Sequence, residues 1–147
     1  MDRIPSSVAL YRRGIRVSSI GCPFCHHDSD ETDHLLVKCD FAKEVFSWIF
    51  KWCDVMCPVF DTVADVIQFA AKWGNCPKKR KIFLTIMNGC FWCIWKSRND
   101  KIFNKLPSSP VKVADIVITM VFGWVKFRGS FGNYNWTNWC CSPFTIV

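Results

Sequence analysis

The chain has 147 residues, 19 Lys and Arg against 12 Asp and Glu, 13 Phe, 8 Trp and 10 Cys, and half of its residues are apolar. That content excludes a disordered tail, is enough for a packed core, and bounds the chain to one domain or at most two. The longest apolar run, 82–95, is interrupted at Thr85, Asn88 and Gly89 and is too short for a membrane span, and arginines at 3, 12, 13 and 16 leave no signal-peptide pattern.

In chain order, Ser6 or Ser7 is expected to cap a short helix to Arg13, with Gly14 as its left-handed end residue. Residues 18–34 read as loop. Asp40 is placed to cap a helix through about Cys53, in which Val45, Trp48, Ile49 and Trp52 recur at helical spacing. Pro58 breaks the chain. Asp61 is the expected cap of a third helix with Val63, Val66, Ile67 and Ala70 on one face and Gly74 past its end. Pro77 opens a long fourth helix to about Asn104. After a turn over 106–110, a fifth starts with Ser109 as cap and Pro110 at its first position, and ends at Gly129. Residues 130–147 read as an aromatic loop anchored by Trp136 and Trp139. With no alternating strand pattern and no repeat, the expected class is mostly α: a small helical domain nucleated by one structural zinc, over 1–57, with a long helical extension over 58–129.

With no secretory pattern, the expected setting is intracellular, cytoplasmic or nuclear and not secreted, where thiols stay reduced. Ten cysteines then read as metal ligands and small core residues. The metal pattern is Cys22-Pro-Phe-Cys25, His34 and Cys39, or C-x2-C-x8-H-x4-C. A two-residue spacer presents two thiolates from one tight turn, and four such ligands suit tetrahedral Zn2+ with no position left for water, the mark of a structural site. His34 and Cys39 would stand about 140° apart on an ideal helix, so the helix carrying His34 must stop or distort before Cys39. His26 and His27 follow Cys25 too closely to close a comfortable chelate and are expected at the surface. The acids Asp28, Asp30, Glu31 and Asp33 make this loop electronegative.

These residues carry a resemblance. The run Leu10-Tyr-Arg-Arg-Gly-Ile15, the Cys22 to Cys25 pair, Glu31-Thr-Asp-His34-Leu-Leu, Cys39 and the aromatic helix from Phe41 to Trp52 resemble the zinc-binding domain that follows the reverse transcriptase in plant non-LTR retrotransposons. The similarity covers about residues 3–55 and continues in the segment from Trp95 through Arg98 and Asn99 to Phe103. It departs where a helical segment normally precedes Leu10. The resemblance implies an N-terminally incomplete domain, a piece of a larger retroelement protein or a degenerate copy, with RNA-directed DNA polymerase activity belonging to an upstream domain.

Charge adds a second strand. Residues 72–112 carry ten bases and one acid, a net +9 within a chain of net +7. Lys78, Lys79, Arg80 and Lys81 open a helix, where cations oppose the macrodipole, and Lys96, Arg98 and Lys101 follow on the same helix. They are the candidate contacts to RNA or DNA, although Arg98 and Asn99 equally suit bracing a neighbouring helix. Cys90 and Cys93 have redox-motif spacing but lie mid-helix, away from the N-terminal position that activates such thiols, so core packing is expected. Cys53, Cys57, Cys140 and Cys141 read as spectators. Trp92, Trp95, Phe103 and Trp124 are expected in the core, with base stacking as the alternative. No acid pair suited to two-metal catalysis and no phosphate-cradling glycine loop occurs, so no catalytic residue is expected. The expected function is a non-catalytic zinc-binding accessory module that aids RNA or DNA binding, without a small-molecule substrate. The alternatives are a zinc-stabilised module docking on the parent enzyme or another protein, and a functionless remnant.

Overall fold

The computed structural model describes residues 4–17, 19–128 and 135–144. Six α-helices and one π-turn make up its regular structure: α1 Ser7–Arg12, the π-turn His34–Lys38, α2 Asp40–Cys53, α3 Val63–Lys72, α4 Pro77–Phe103, α5 Pro110–Arg128 and α6 Trp136–Cys141. The class is mostly α. Among the described residues the only extended pairing is an isolated bridge between Gly21 and Ser29, and no helix is long and apolar enough to cross a membrane.

The boundaries follow local chemistry. Ser6 caps α1, its hydroxyl accepting the Ala9 N–H at 3.2 Å, and Gly14 beyond the end has φ +77°. Thr62, not Asp61, caps α3. Its hydroxyl takes the Asp65 N–H while the Asp65 carboxylate takes the N–H of Thr62, a reciprocal capping box. Asp40 is likewise the first helical residue of α2, not its cap; Cys39 holds that position. Ser109 keeps its expected place, its carbonyl accepting the Val113 N–H at 3.0 Å. Gly129, the expected end of α5, lies outside the described residues, as do 130–134 and 145–147.

One core runs through the chain. Ala42, Val45, Ile49 and Phe50 of α2 meet Ile82, Phe83, Ile86 and Met87 of α4, and Val117 and Val121 of α5 close the other side. Phe50 lies between Phe60, Phe69 and Phe83, with ring centroids 5.5–6.1 Å apart, so the packing crosses the expected division at 57/58. The helix α4 is covered by α3, α5 and the π-turn, which accounts for its broad apolar surface. Part of 130–147 is helical, not loop. Trp139 in α6 is fully buried, its indole N–H donates to the Ile118 carbonyl, and its own carbonyl accepts the Trp52 indole N–H, each at 2.9 Å. Trp48, expected inward on α2, is 43% exposed.

Helices α4 and α5 pack tightly at Gly89, where an added Cβ would lie 2.6 Å from Cγ2 of the buried Val121. Gly→Ala gains about 1 kcal/mol of helix propensity, but overpacking against a stiff β-branched neighbour costs about 1–3 kcal/mol. Gly89→Ala is therefore expected to destabilise by about 1 kcal/mol. Gly123→Ala in α5, where a Cβ meets nothing within 4 Å, should stabilise by about 0.5–1 kcal/mol. Urea denaturation of both variants checks this; shifts of the same sign would rule out a close α4–α5 crossing.

Candidate metal centre

Cys22 and Cys25 stand at the two ends of a turn in which the Cys22 carbonyl accepts the His26 N–H at 3.0 Å and His26 adopts φ +59°. The N–H groups of Phe24 and Cys25 point at Cys22 Sγ. The loop closes through Cys22 N–H to the Asp28 carbonyl, 2.7 Å, and Asp30 N–H to the Ile20 carbonyl, 2.6 Å. From the other side, Leu35, Leu36 and Val37 of the π-turn are buried in the core, and this anchors His34 and Cys39 at its ends.

The π-turn is the distortion the five-residue spacing requires. The Cys39 N–H bonds to the carbonyl of His34 at 2.7 Å, an i→i+5 closure that winds wider than an α-helix. It brings together two side chains that α geometry would hold apart. Cys39 then turns to an extended conformation and begins α2.

All four side chains converge, with ligand atoms within 4.8 Å of one another. Cys22 Sγ and Cys39 Sγ are 3.8 Å apart, and Cys25 Sγ lies 3.3 Å from His34 Nε2. A tetrahedron with Zn–S of about 2.3 Å and Zn–N of about 2.0 Å has edges of about 3.8 Å for S–S and about 3.5 Å for S–N. The donor set therefore fits a tetrahedral divalent ion. His34 presents Nε2 to the cluster while Nδ1 faces the Asp28 carboxylate at 3.7 Å, the arrangement by which an outer carboxylate orients a metal-binding imidazole. Phe24, between Cys22 and Cys25, and Phe41, two residues past Cys39, stack on each other, centroids 3.9 Å apart and planes within 2°. Cys22 and Cys39 share a hydrogen bond. It holds the Cys22 thiol down to about 5 and, together with burial, pushes Cys39 up.

The other nominated residues divide. His26 and His27 are exposed, as expected. Of the acids expected to charge the loop, Asp30 is fully buried and Asp33 accepts the first N–H of α3, from Val63, at 2.9 Å. Arg98, nominated for nucleic acid, is corrected. It is 3% exposed and ion-paired with Asp30, with Ser7 Oγ also accepting from its guanidinium at 3.1 Å. Asp30 in turn accepts the Ser7 N–H at 2.6 Å, so the pair ties α1, the metal loop and α4. Arg80 is also structural, donating to the carbonyls of Trp73 and Gly74 at 3.1 and 2.8 Å, where it caps the end of α3. Lys101 Nζ lies 5.7 Å from the Phe24 ring centroid, beside the metal loop. Lys78, Lys81 and Lys96 are exposed and Lys79 is half-buried.

Cys90 and Cys93 are buried, and burial pushes both thiols up, Cys93 to about 11. The expectation that the aromatic residues of α4 all pack inward fails for Trp92 and Phe103, which are 53% and 73% exposed. Trp95 and Trp124 are half-buried. Sequence reasoning missed Asp28, Asp30 and Asp33 as structural partners; nothing local marks an acid whose partner lies 30 or 68 residues away.

The chain matches no family model, no characterised protein and no solved structure.

Proposed function

We propose that the chain is a non-catalytic, zinc-organised accessory module that contacts RNA or DNA, of the kind its sequence resembles downstream of the reverse transcriptase in plant non-LTR retrotransposons. The carrying observation is the convergence of Cys22, Cys25, His34 and Cys39, whose ligand atoms all lie within 4.8 Å of one another, with one S–S and one S–N separation close to tetrahedral edges. Four protein ligands saturate zinc, which then supplies folding free energy and no open coordination position for a reacting water. Reduced thiols are required for ligation, which suits an intracellular setting. Nucleic-acid contact draws on the +9 charge of residues 72–112, reduced by the internal use of Arg80 and Arg98.

The test is salt-dependent binding of a labelled single-stranded RNA, comparing the unaltered protein with Lys78→Ala, Lys79→Ala and Lys81→Ala combined. Arg80 stays, because its loss would uncap α3. For every phosphate that the variant no longer neutralises, the log–log salt slope should flatten by about 0.7. Binding of a protein partner that persists at high salt, with no RNA binding at low salt, would favour the protein-docking alternative.

A further inference from the structure

Helix α4 is covered on most sides, but one stripe of it faces solvent. Lys78, Lys81, Asn88, Trp92, Lys96 and Phe103 are all exposed. Their spacings of three, four, seven or eleven residues place them within about 80° of one another around the helix axis. The stripe runs for about 37 Å at 1.5 Å per residue. It holds three cations and no acid, and its two aromatic rings leave 53% and 73% of their surface in water. Their exposure costs hydrophobic free energy that inward placement would recover. Trp92 and Phe103 are about 16 Å apart along the axis, with Lys96 between them, one turn from Trp92.

Beside Lys96 a cleft of about 170 Å³ opens between the end of α4 and the start of α5. Ser108, Ser109 and Lys112 line it with Lys96. Asp100 is the one acid there, and its carboxylate accepts from Asn104 at 3.3 Å. Among the described residues neither Lys96 nor Lys112 is in an ion pair.

Resting on the nucleic-acid reading above, we propose that this stripe is a track for a single nucleic-acid strand, with unpaired bases stacking on Trp92 and Phe103 and the intervening phosphates held by Lys96 and Lys112. Charge favours this occupant over a protein surface. The stripe lies in the +9 segment, and its alternation of ring and cation matches the alternation of base and phosphate. A duplex, whose bases are already stacked, gains nothing from the rings, so the preference is for single strands. RNA and DNA strands share this chemistry and should both bind.

The experiment uses the full chain loaded with zinc and a short labelled single-stranded RNA, read by fluorescence anisotropy, with a duplex of the same sequence as comparison. Trp92→Ala should weaken single-strand binding about tenfold or more while leaving duplex binding nearly unchanged, and Trp92→Phe should restore most of the loss. Lys96→Ala should flatten the single-strand salt slope by about 0.7. Trp48→Ala, which removes an exposed ring from α2, should change neither. Equal effects of Trp92→Ala and Trp48→Ala, in protein that still binds RNA and still weakens on loss of Lys78, Lys79 and Lys81, would overturn the track and leave the nucleic-acid reading standing. No binding by the unaltered protein at low salt would overturn both. Concentration-dependent self-association that Trp92→Ala abolishes and RNA does not compete would overturn the track alone, making the stripe a protein interface.

Discussion

Chelating the metal, or replacing a ligand by Cys22→Ser or His34→Ala, is expected to unfold α1, the loop 19–33 and the π-turn, and to lower the melting temperature of the rest. Structural zinc in small fingers contributes about 10–16 kcal/mol of apparent binding free energy at neutral pH. Whole domains are stable by only about 5–15 kcal/mol, so loss of the ion exceeds the margin of anything that depends on it. Besides the ion, the loop between Gly21 and His34 is held by one bridge, a few backbone bonds and the anchors of Asp30 to Arg98 and Ser7 and of Asp33 to Val63, and the Cys22–Cys25 turn at its start rests most directly on the ion. The damage should spread because Leu35, Leu36 and Val37 share a core with α2 and α4. Circular dichroism and thermal melting of metal-loaded and chelated protein decide the matter, and identical melts would refute the role assigned to the ion. Acid should act in the same direction. A cation must displace the proton that the Cys22 hydrogen bond holds on Cys39, whose pKa lies above the ordinary thiol value. Metal affinity, and the stability it supplies, should therefore be present at neutral pH and fall as pH falls, with protons released on loading.

The second large effect is expected at Arg98. Arg98→Met leaves the fully buried Asp30 carboxylate without its cation, and breaking a buried pair in this way costs about 3–5 kcal/mol. Asp30→Asn strands the guanidinium instead but keeps an acceptor for the Ser7 N–H, so it should cost less. The double variant should recover much of the loss, since neither charge then remains buried alone. Urea denaturation of the two single variants and the double gives the coupling energy. Additive losses would mean that the two side chains do not interact. This pair also explains why Arg98 cannot serve a phosphate: its guanidinium is committed to holding α1 and the metal loop onto α4.

What was legible in the sequence is what short-range physics controls. Pro77 and Pro110 mark helix starts because proline suits the first position of a helix, and Gly14 and Gly74 mark ends because both take positive φ. The convergence of Cys22, Cys25, His34 and Cys39 was legible because metal geometry limits the spacings that can serve one ion, and the same reasoning required a distorted helix between His34 and Cys39. Caps were ambiguous where two candidates adjoin: Asp61 precedes Thr62, and Asp65 selects Thr62 by completing the box. Direction on α4 was not legible, and on α2 only the edge of the apolar stripe was misjudged, at Trp48. Apolar residues circle α4, and only the placement of α3 and α5 decides that Ile82 and Ile86 face inward while Trp92 faces water. A count of bases likewise overstated the phosphate-binding surface, because a cation that caps a helix or neutralises a buried acid looks the same in sequence as one in solvent.

The π-turn makes the metal site a gauge of chain length. Residues 35–38 lie between two ligands and carry the i→i+5 closure from Cys39 to His34. Adding one residue would set Cys39 six positions from His34, about 120° away by α winding and more than one π-turn takes up. Cys39 would leave the cluster, and in the same motion the Val45 and Ile49 face of α2 would swing off the core. Substitutions among Leu35, Leu36 and Val37 alter packing locally and an insertion alters coordination and helix register together, whereas after a deletion plain α winding would keep the two side chains about 40° apart. Lengthening of this stretch is thus constrained more tightly than the identity of its residues.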